Sequence, residues 1–363
     1  MAYPVLTGAI LIEANGAALN NAGQDEGVRV DNAIVVKQIR VGRLRYPYVS
    51  GQAWRRWWRE VLYADFGWTP SDVTREAKSA YTRGDPIAYE EDDLFGYMAA
   101  RKRARGSSDG GTGTYRRVSP LKNSLLISVL PNVITSDFGH FSRNLKPGED
   151  IIPFEAEHYS TYLQGTFTIS LTDVGRFELG EMRDFSEDIL KQHKHLLQTD
   201  PSRGGVFRLP QPARVGRVQD VIRALARLRG GAHLARNLSD VTPVAVLLGF
   251  LDGGNAPFQR LFEPDPNAER VVLNITRLRS VLHDYADRVL GLTADAQEDK
   301  KAIFFGYRPT VLANEAEVLE AFAGDGIFRT LVAVAGTPQE ALEQAARAVA
   351  GVFDRSVDSA DGA

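Results

Sequence analysis

From Ser50 to Asp65 the chain reads Ser-Gly-Gln-Ala-Trp-Arg-Arg-Trp-Trp-Arg-Glu-Val-Leu-Tyr-Ala-Asp, and this stretch constrains the fold more than any other. At helical spacing Gln52, Arg55, Arg56, Arg59 and Tyr63 fall on one side, while Trp54, Trp57, Trp58 and Val61 fall on the opposite side. Such a helix needs an apolar sheet to receive its tryptophans and leaves three guanidiniums at a rise suited to successive phosphates. Ser50 is a candidate N-cap, and the first backbone N–H groups of the helix can meet an anion.

The rest of the chain supplies that sheet. Strands are expected at Val5 to Ala14, Ile34 to Val41, Ser124 to Ile134, Tyr159 to Thr172, Val244 to Leu251, Ala302 to Tyr307 and Phe328 to Ala335. Helices are expected near Val218 to Leu228 and Arg277 to Leu290, and after Thr337-Pro338-Gln339-Glu340, a capping box with proline at the first helical position. Residues 69–104 read as short helices in a charged insert that ends in a mobile Gly-rich loop, Gly106 to Gly113. Gly180 to Val215 reads as a protruding arm. The order fits an α+β fold of the ferredoxin-like type, divided as 1–66, an insert at 67–118, central strands at 119–179, the arm at 180–215 and a closing part at 216–363.

Composition narrows the chemistry. With 363 residues, 44% hydrophobic and 25% charged, the chain can bury a large core, and with no cysteine it has neither disulfides nor thiolate metal sites. The first twelve residues read as a strand and not a signal peptide, so the expected address is the cytoplasm. No apolar run suits a membrane span. The net charge of −3 is unevenly spread. Residues 29–59 hold eight Lys and Arg against Asp31 alone, 101–122 hold seven against Asp109, and 203–236 hold eight against Asp220, whereas 313–363 hold nine acids against three arginines. This distribution implies a positive groove on a mildly acidic body.

Other chemistry finds little support. His193 and His195 are spaced by two and cannot grip a metal from one helical face. His140 and His158, with Asp137, Glu155 and Glu157, show no ligand spacing. Gly110 to Gly113 lacks the lysine of a phosphate-binding loop. A membrane-surface role for the Trp/Arg helix lacks a second anchor.

Asn20-Asn21-Ala22-Gly23 after the first strand, followed by a basic strand pair and Tyr48 to Arg59, resembles the N-terminal signature of the CRISPR Cascade backbone subunit, more narrowly the DevR family of type I-B systems. The family's serine, serine or glycine, glutamine, basic pair and arginine are all matched. Gly230-Gly231-Ala232-His233 and Arg236 to Pro243 are similar to that family's later segment. The resemblance implies a palm of the RNA-recognition type with helical fingers and a thumb, no catalytic residues and no cofactor. It implies a filament of copies on one guide RNA (crRNA), with each thumb displacing a base and the other bases free to pair with target DNA. Further partners would be the large subunit, the guide 5′-end-capping subunit and the processing endonuclease, serving antiviral defence or an adapted role such as guided transposition. Carried over, Asn20, Asn21, Ser50, Gln52, Arg55, Arg56 and Arg59 hold the guide. The neighbouring basic segments add Lys37, Arg40, Arg43, Arg116 and Arg117, and the arm adds Arg203 and Arg208. Contacts to phosphate and sugar hold a guide whatever its sequence, while base pairing reads the target. The alternative is a type III-like subunit that cuts target RNA with Asp31, otherwise a turn residue.

Overall fold

The computed structural model describes residues 3–23, 33–76, 79–102, 112–200, 203–291 and 301–354. β1 (Pro4–Ala17) is buried along nearly its whole length, which makes it a central strand. β2 (Gln38–Val41) and β3 (Leu44–Val49) form a hairpin through a two-residue turn, and α1 (Gly51–Phe66) follows at once. The Ser50 hydroxyl accepts from Ala53 N–H, and Gly67 ends the helix at φ 73, a left-handed conformation that favours glycine.

The insert contradicts its helical reading. Among its described residues it holds one short helix, α2 (Glu90–Phe95), and two hairpins: Val73–Glu76 with Ser79–Thr82, and β4 (Tyr97–Lys102) with β5 (Thr112–Arg117). Its Ala, Arg and Lys favour helix locally, but pairing with a partner across the Gly-rich segment overrides that weak preference. Gly106 to Gly111 lie outside the described residues. Next come β6 (Leu126–Ser128), β7 (Ile134–Phe141) and β8 (Ile152–Ser170). The outer part of the β7–β8 hairpin pairs with little else and leaves Phe138, Phe141, Ile151 and Ile152 exposed.

The segment expected as an arm is folded down. α3 (Glu187–His193) and the strand Val206–Arg208, paired with Arg176–Glu178, close over Phe177, Phe185, Ile189, Leu209 and the insert's Ile87. α4 (Gln211–Leu225), β9 (Pro243–Asp252), α5 (Ile275–Asp284), β10 (Ile303–Tyr307), α6 (Glu315–Gly324), α7 (Gly326–Leu331), β11 (Val332–Ala335) and α8 (Pro338–Val352) complete the chain. The strand expected from Phe328 is helical as far as Leu331. Thr337 caps α8, accepting from Glu340 N–H.

The main sheet runs β11-β10-β9-β1-β8-β6-β3-β2. On one face Leu6, Ile10 and Ile12 of β1 meet Trp54 and Trp58 of α1, Val221 and Ile222 of α4, and Leu342 and Val349 of α8. Trp54 and Trp58 stack at 5.4 Å, and their indole N–H groups donate to Ser124 O and Val221 O. On the other face Ala9, Leu11, Leu247 and Phe305 are covered by Leu278 of α5, Phe322 of α6 and Phe328 of α7. The sheet is therefore closed on both sides around β1, and the start of α1 lies at its rim.

Candidate nucleic-acid interface

Three segments far apart in sequence meet where α1 begins. Asn20 Oδ1 accepts from Ser50 N–H (3.0 Å), and Asn20 O accepts from Lys37 N–H (2.9 Å). Asn21 Nδ2 lies 2.8 Å from His233 Nε2, and Ala232 N–H donates to Leu19 O (3.2 Å). Gly230 makes this meeting possible: a Cβ there would lie 2.2 Å from the Trp57 ring. His233 itself sits at φ 54, a strained value for a non-glycine residue. Around this rim Gln52, Arg56, Lys122, Ser124 and Arg236 are exposed, and Asn123 Nδ2 donates to Gly51 O (3.2 Å). Oriented N–H groups, amides, hydroxyls and cations at the start of a sixteen-residue helix suit an anionic backbone.

The expected arginine stripe of α1 divides in two. Arg56 is 74% exposed and is met by Glu60 at 2.7 Å one turn on, so the stripe does carry a neutralising carboxylate. Arg55 points inward. Its guanidinium donates to Leu121 O (2.8 Å), Asn123 Oδ1 (2.9 Å), Phe95 O (2.9 Å) and Ser119 Oγ (3.1 Å), and lies 4.9 Å from the Phe95 ring. Burial, aided by the neighbouring Arg59 charge, pushes its pKa down to about 10. Arg59 lies over the same ring at 5.3 Å and 3.9 Å from Glu91, to which Tyr63 donates at 2.5 Å. Arg55 is thus committed to the insert, whereas Arg59 leans on the insert and keeps 33% of its side chain exposed.

Arg117 is likewise a correction. It is fully buried, paired with Asp93 and with Asp184 (3.3 Å), and donates to Asp173 O (2.7 Å). Burial opposes its charge, but the two carboxylates outweigh that and raise its pKa. Asp93 also takes Arg217 (2.6 Å) and Gly175 N–H (2.9 Å), so one aspartate ties the insert to the end of the 119–179 part and to α4. Arg203 pairs with Glu178 at 2.9 Å, and Arg208 is half-buried in the Val206–Arg208 strand. Neither lies in the group around Ser50. Arg116 is exposed on β5, its N–H donating to Arg183 O. Lys37 is half-buried beside Asn20, while Arg40 and Arg43, expected to join it on the guide, are exposed on the outer β2–β3 hairpin and stand outside the group around Ser50. Asp31 lies outside the described residues.

Reading the sequence alone missed the roles of His233 and Asn123. The glycine pair before His233 was the available signal for the first; Asn123 gave none. Among the described residues no group of three or more His, Asp or Glu is placed to hold a metal ion, and no helix is long and apolar enough to cross a membrane.

A mixed α+β chain with a large central sheet, closed by helices and bearing a polar cationic rim, is thus the class of protein in view. Residues 9–261 match the model of the family described as CRISPR-associated negative auto-regulator DevR/Csa2. The chain belongs to this family. No curated protein matches it. Among solved structures it is similar to a chain of a "CRISPR RNA-guided surveillance complex" (TM-score 0.45, 11% identity, covering 95% of this chain and 99% of that one). It is also similar to one of a "CRISPR RNA-guided surveillance complex, pre-nicking" (TM-score 0.39, 12% identity, 78% and 88%).

Proposed function

We propose that this protein is the guide-RNA-binding backbone subunit of a type I CRISPR surveillance complex and performs no catalysis. The observation that carries the reading is the meeting of Asn20-Asn21, Ser50-Gln52 and Gly230-His233 at the start of α1. These are the segments whose resemblance to the family was read from sequence, and they assemble donors suited to phosphate and sugar. The segment order β1-α1-β6-β8-α4-β9, with sheet neighbours β9-β1-β8-β6 all antiparallel, supports a ferredoxin-like palm of the RNA-recognition type. Because α5 to α7 cover the face on which a simple RNA-recognition fold stacks bases, the guide is held at the rim. The insert takes the place of the fingers. The β7–β8 hairpin, and not residues 180–215, is the arm that crosses the guide toward the next copy.

The test is whether protein purified from its native host carries a discrete small RNA. With that RNA in hand, affinity should fall with salt and be alike for unrelated guide sequences. Protein free of RNA, with salt-independent affinity, overturns the reading. Regularly spaced Mg²⁺-dependent cuts in complementary RNA that vanish in Asp31→Ala would replace it with a type III-like nuclease.

A further inference from the structure

The β2–β3 hairpin carries an electrostatic cost that nothing described around it relieves. Arg40 and Arg45 face each other directly across the antiparallel pair, and Arg43 stands between them in the turn after Gly42. Like charges directly opposite on a sheet repel. All three side chains are exposed, and among the described residues none forms an ion pair. Alternation puts Arg40 and Arg45 on one face of the hairpin, with Ile39, Val41, Leu44 and Tyr46 on the other. This concentration of positive charge calls for a polyanion.

Its position distinguishes it from the rim at Ser50. β6 pairs with β3 only at Tyr48 and Val49, so the outer half of the hairpin leaves the sheet, held there by Asn132 on the main chain of Arg45 (2.7 and 2.9 Å). Six residues of β3 place the turn about 20 Å from Ser50. The strands of a duplex face each other across grooves on the order of 10 Å wide, so long arginines at that distance meet the strand opposite the one held at the rim.

We infer that Arg40, Arg43 and Arg45 grip the phosphate backbone of the strand that pairs with the guide, and not the guide itself. This rests on the guide-binding reading above. The three act on strand capture after loading, as a sequence-independent clamp that favours paired over unpaired guide.

The experiment compares wild type with the R40Q/R43Q/R45Q variant in two titrations across salt: binding of a synthetic guide RNA, then binding of a complementary DNA strand by the guide-loaded protein. Guide affinity and its salt slope should be unchanged in the variant. The log–log slope for the complementary strand should fall by about 2 per subunit, at roughly 0.7 for each phosphate that is no longer neutralised. Equal losses in both titrations would assign the arginines to the guide, and no loss in either would leave them as charges guarding a sheet edge; each result overturns the inference while sparing the guide reading. Wild-type protein that takes up no guide overturns both.

Discussion

Arg55 and Arg117 on one side, and Arg40, Arg43 and Arg45 on the other, belong to equally basic stretches of sequence, yet they sit in opposite environments. The first pair is saturated by carbonyl oxygens, an aromatic ring and carboxylates. The hairpin trio is exposed and meets another arginine. Charge density along a chain therefore locates neither a binding surface nor a core. What separates the two is whether acceptors converge on the guanidinium, and those acceptors come from distant segments. An interior arginine is committed to holding the insert and the 180–215 segment to the palm, whereas an uncompensated one is available to a partner.

The comparison breaks first at Arg117. Arg117→Gln leaves Asp93 buried with one arginine fewer and should cost about 3–5 kcal/mol of stability, read as a lower midpoint in chemical denaturation. A change under about 1 kcal/mol would mean that the buried pair is not closed in solution. Arg55→Gln should cost about 2 kcal/mol by removing charge-assisted bonds to carbonyls, with the RNA salt slope unaltered in the folded protein. Arg56→Gln is the mirror image: stability stays within about 0.5 kcal/mol, since its pair with Glu60 is exposed, while the RNA slope falls by about 0.7. If Arg55 and Arg56 traded these behaviours, the assignment of inner and outer faces to α1 would be wrong.

The smallest effect concerns acid. Arg223, with Arg347, lowers the pKa of Glu343 from 4.5 to about 2. A carboxylate depressed in the folded state stabilises above its unfolded pKa and loses that contribution as pH falls from about 4.5 toward 2. Both side chains of the Arg223 pair are 35% exposed and so partly screened by solvent, and Glu343→Gln should remove no more than about 1 kcal/mol of acid sensitivity. Thermal melts of the two proteins across that pH range check it.

Much of the frame was legible. The tryptophan spacing and Ser50 announced α1, Thr337-Pro338 announced α8, and the apolar runs at β1 and β9 marked central strands, because each signal lies within a few residues. Glu60, four residues after Arg56, was an available sign that the stripe is partly neutralised. What could not be read is non-local. The acceptors of Arg55 lie at 95 and 119–123, the partner of β4 lies beyond a Gly-rich stretch, and the cover of residues 180–215 includes Ile87 of the insert. Helix propensity in 69–104 gave the wrong answer because pairing energies set by distant strands exceed it.

The close approach of Gly230 to Trp57 has a consequence for motion. A surface loop normally opens on its own, and its amides exchange with solvent long before the core does. Here a tryptophan ring of the main core occupies the space where a side chain would stand, and the main chain is pinned by Ala232 to Leu19 and by Asn237 Nδ2 to Gly16 O. Lifting the loop means exposing an indole. The Ala232 amide should accordingly exchange on the timescale of global unfolding, and Gly230→Ala should accelerate its exchange by orders of magnitude more than that of β9.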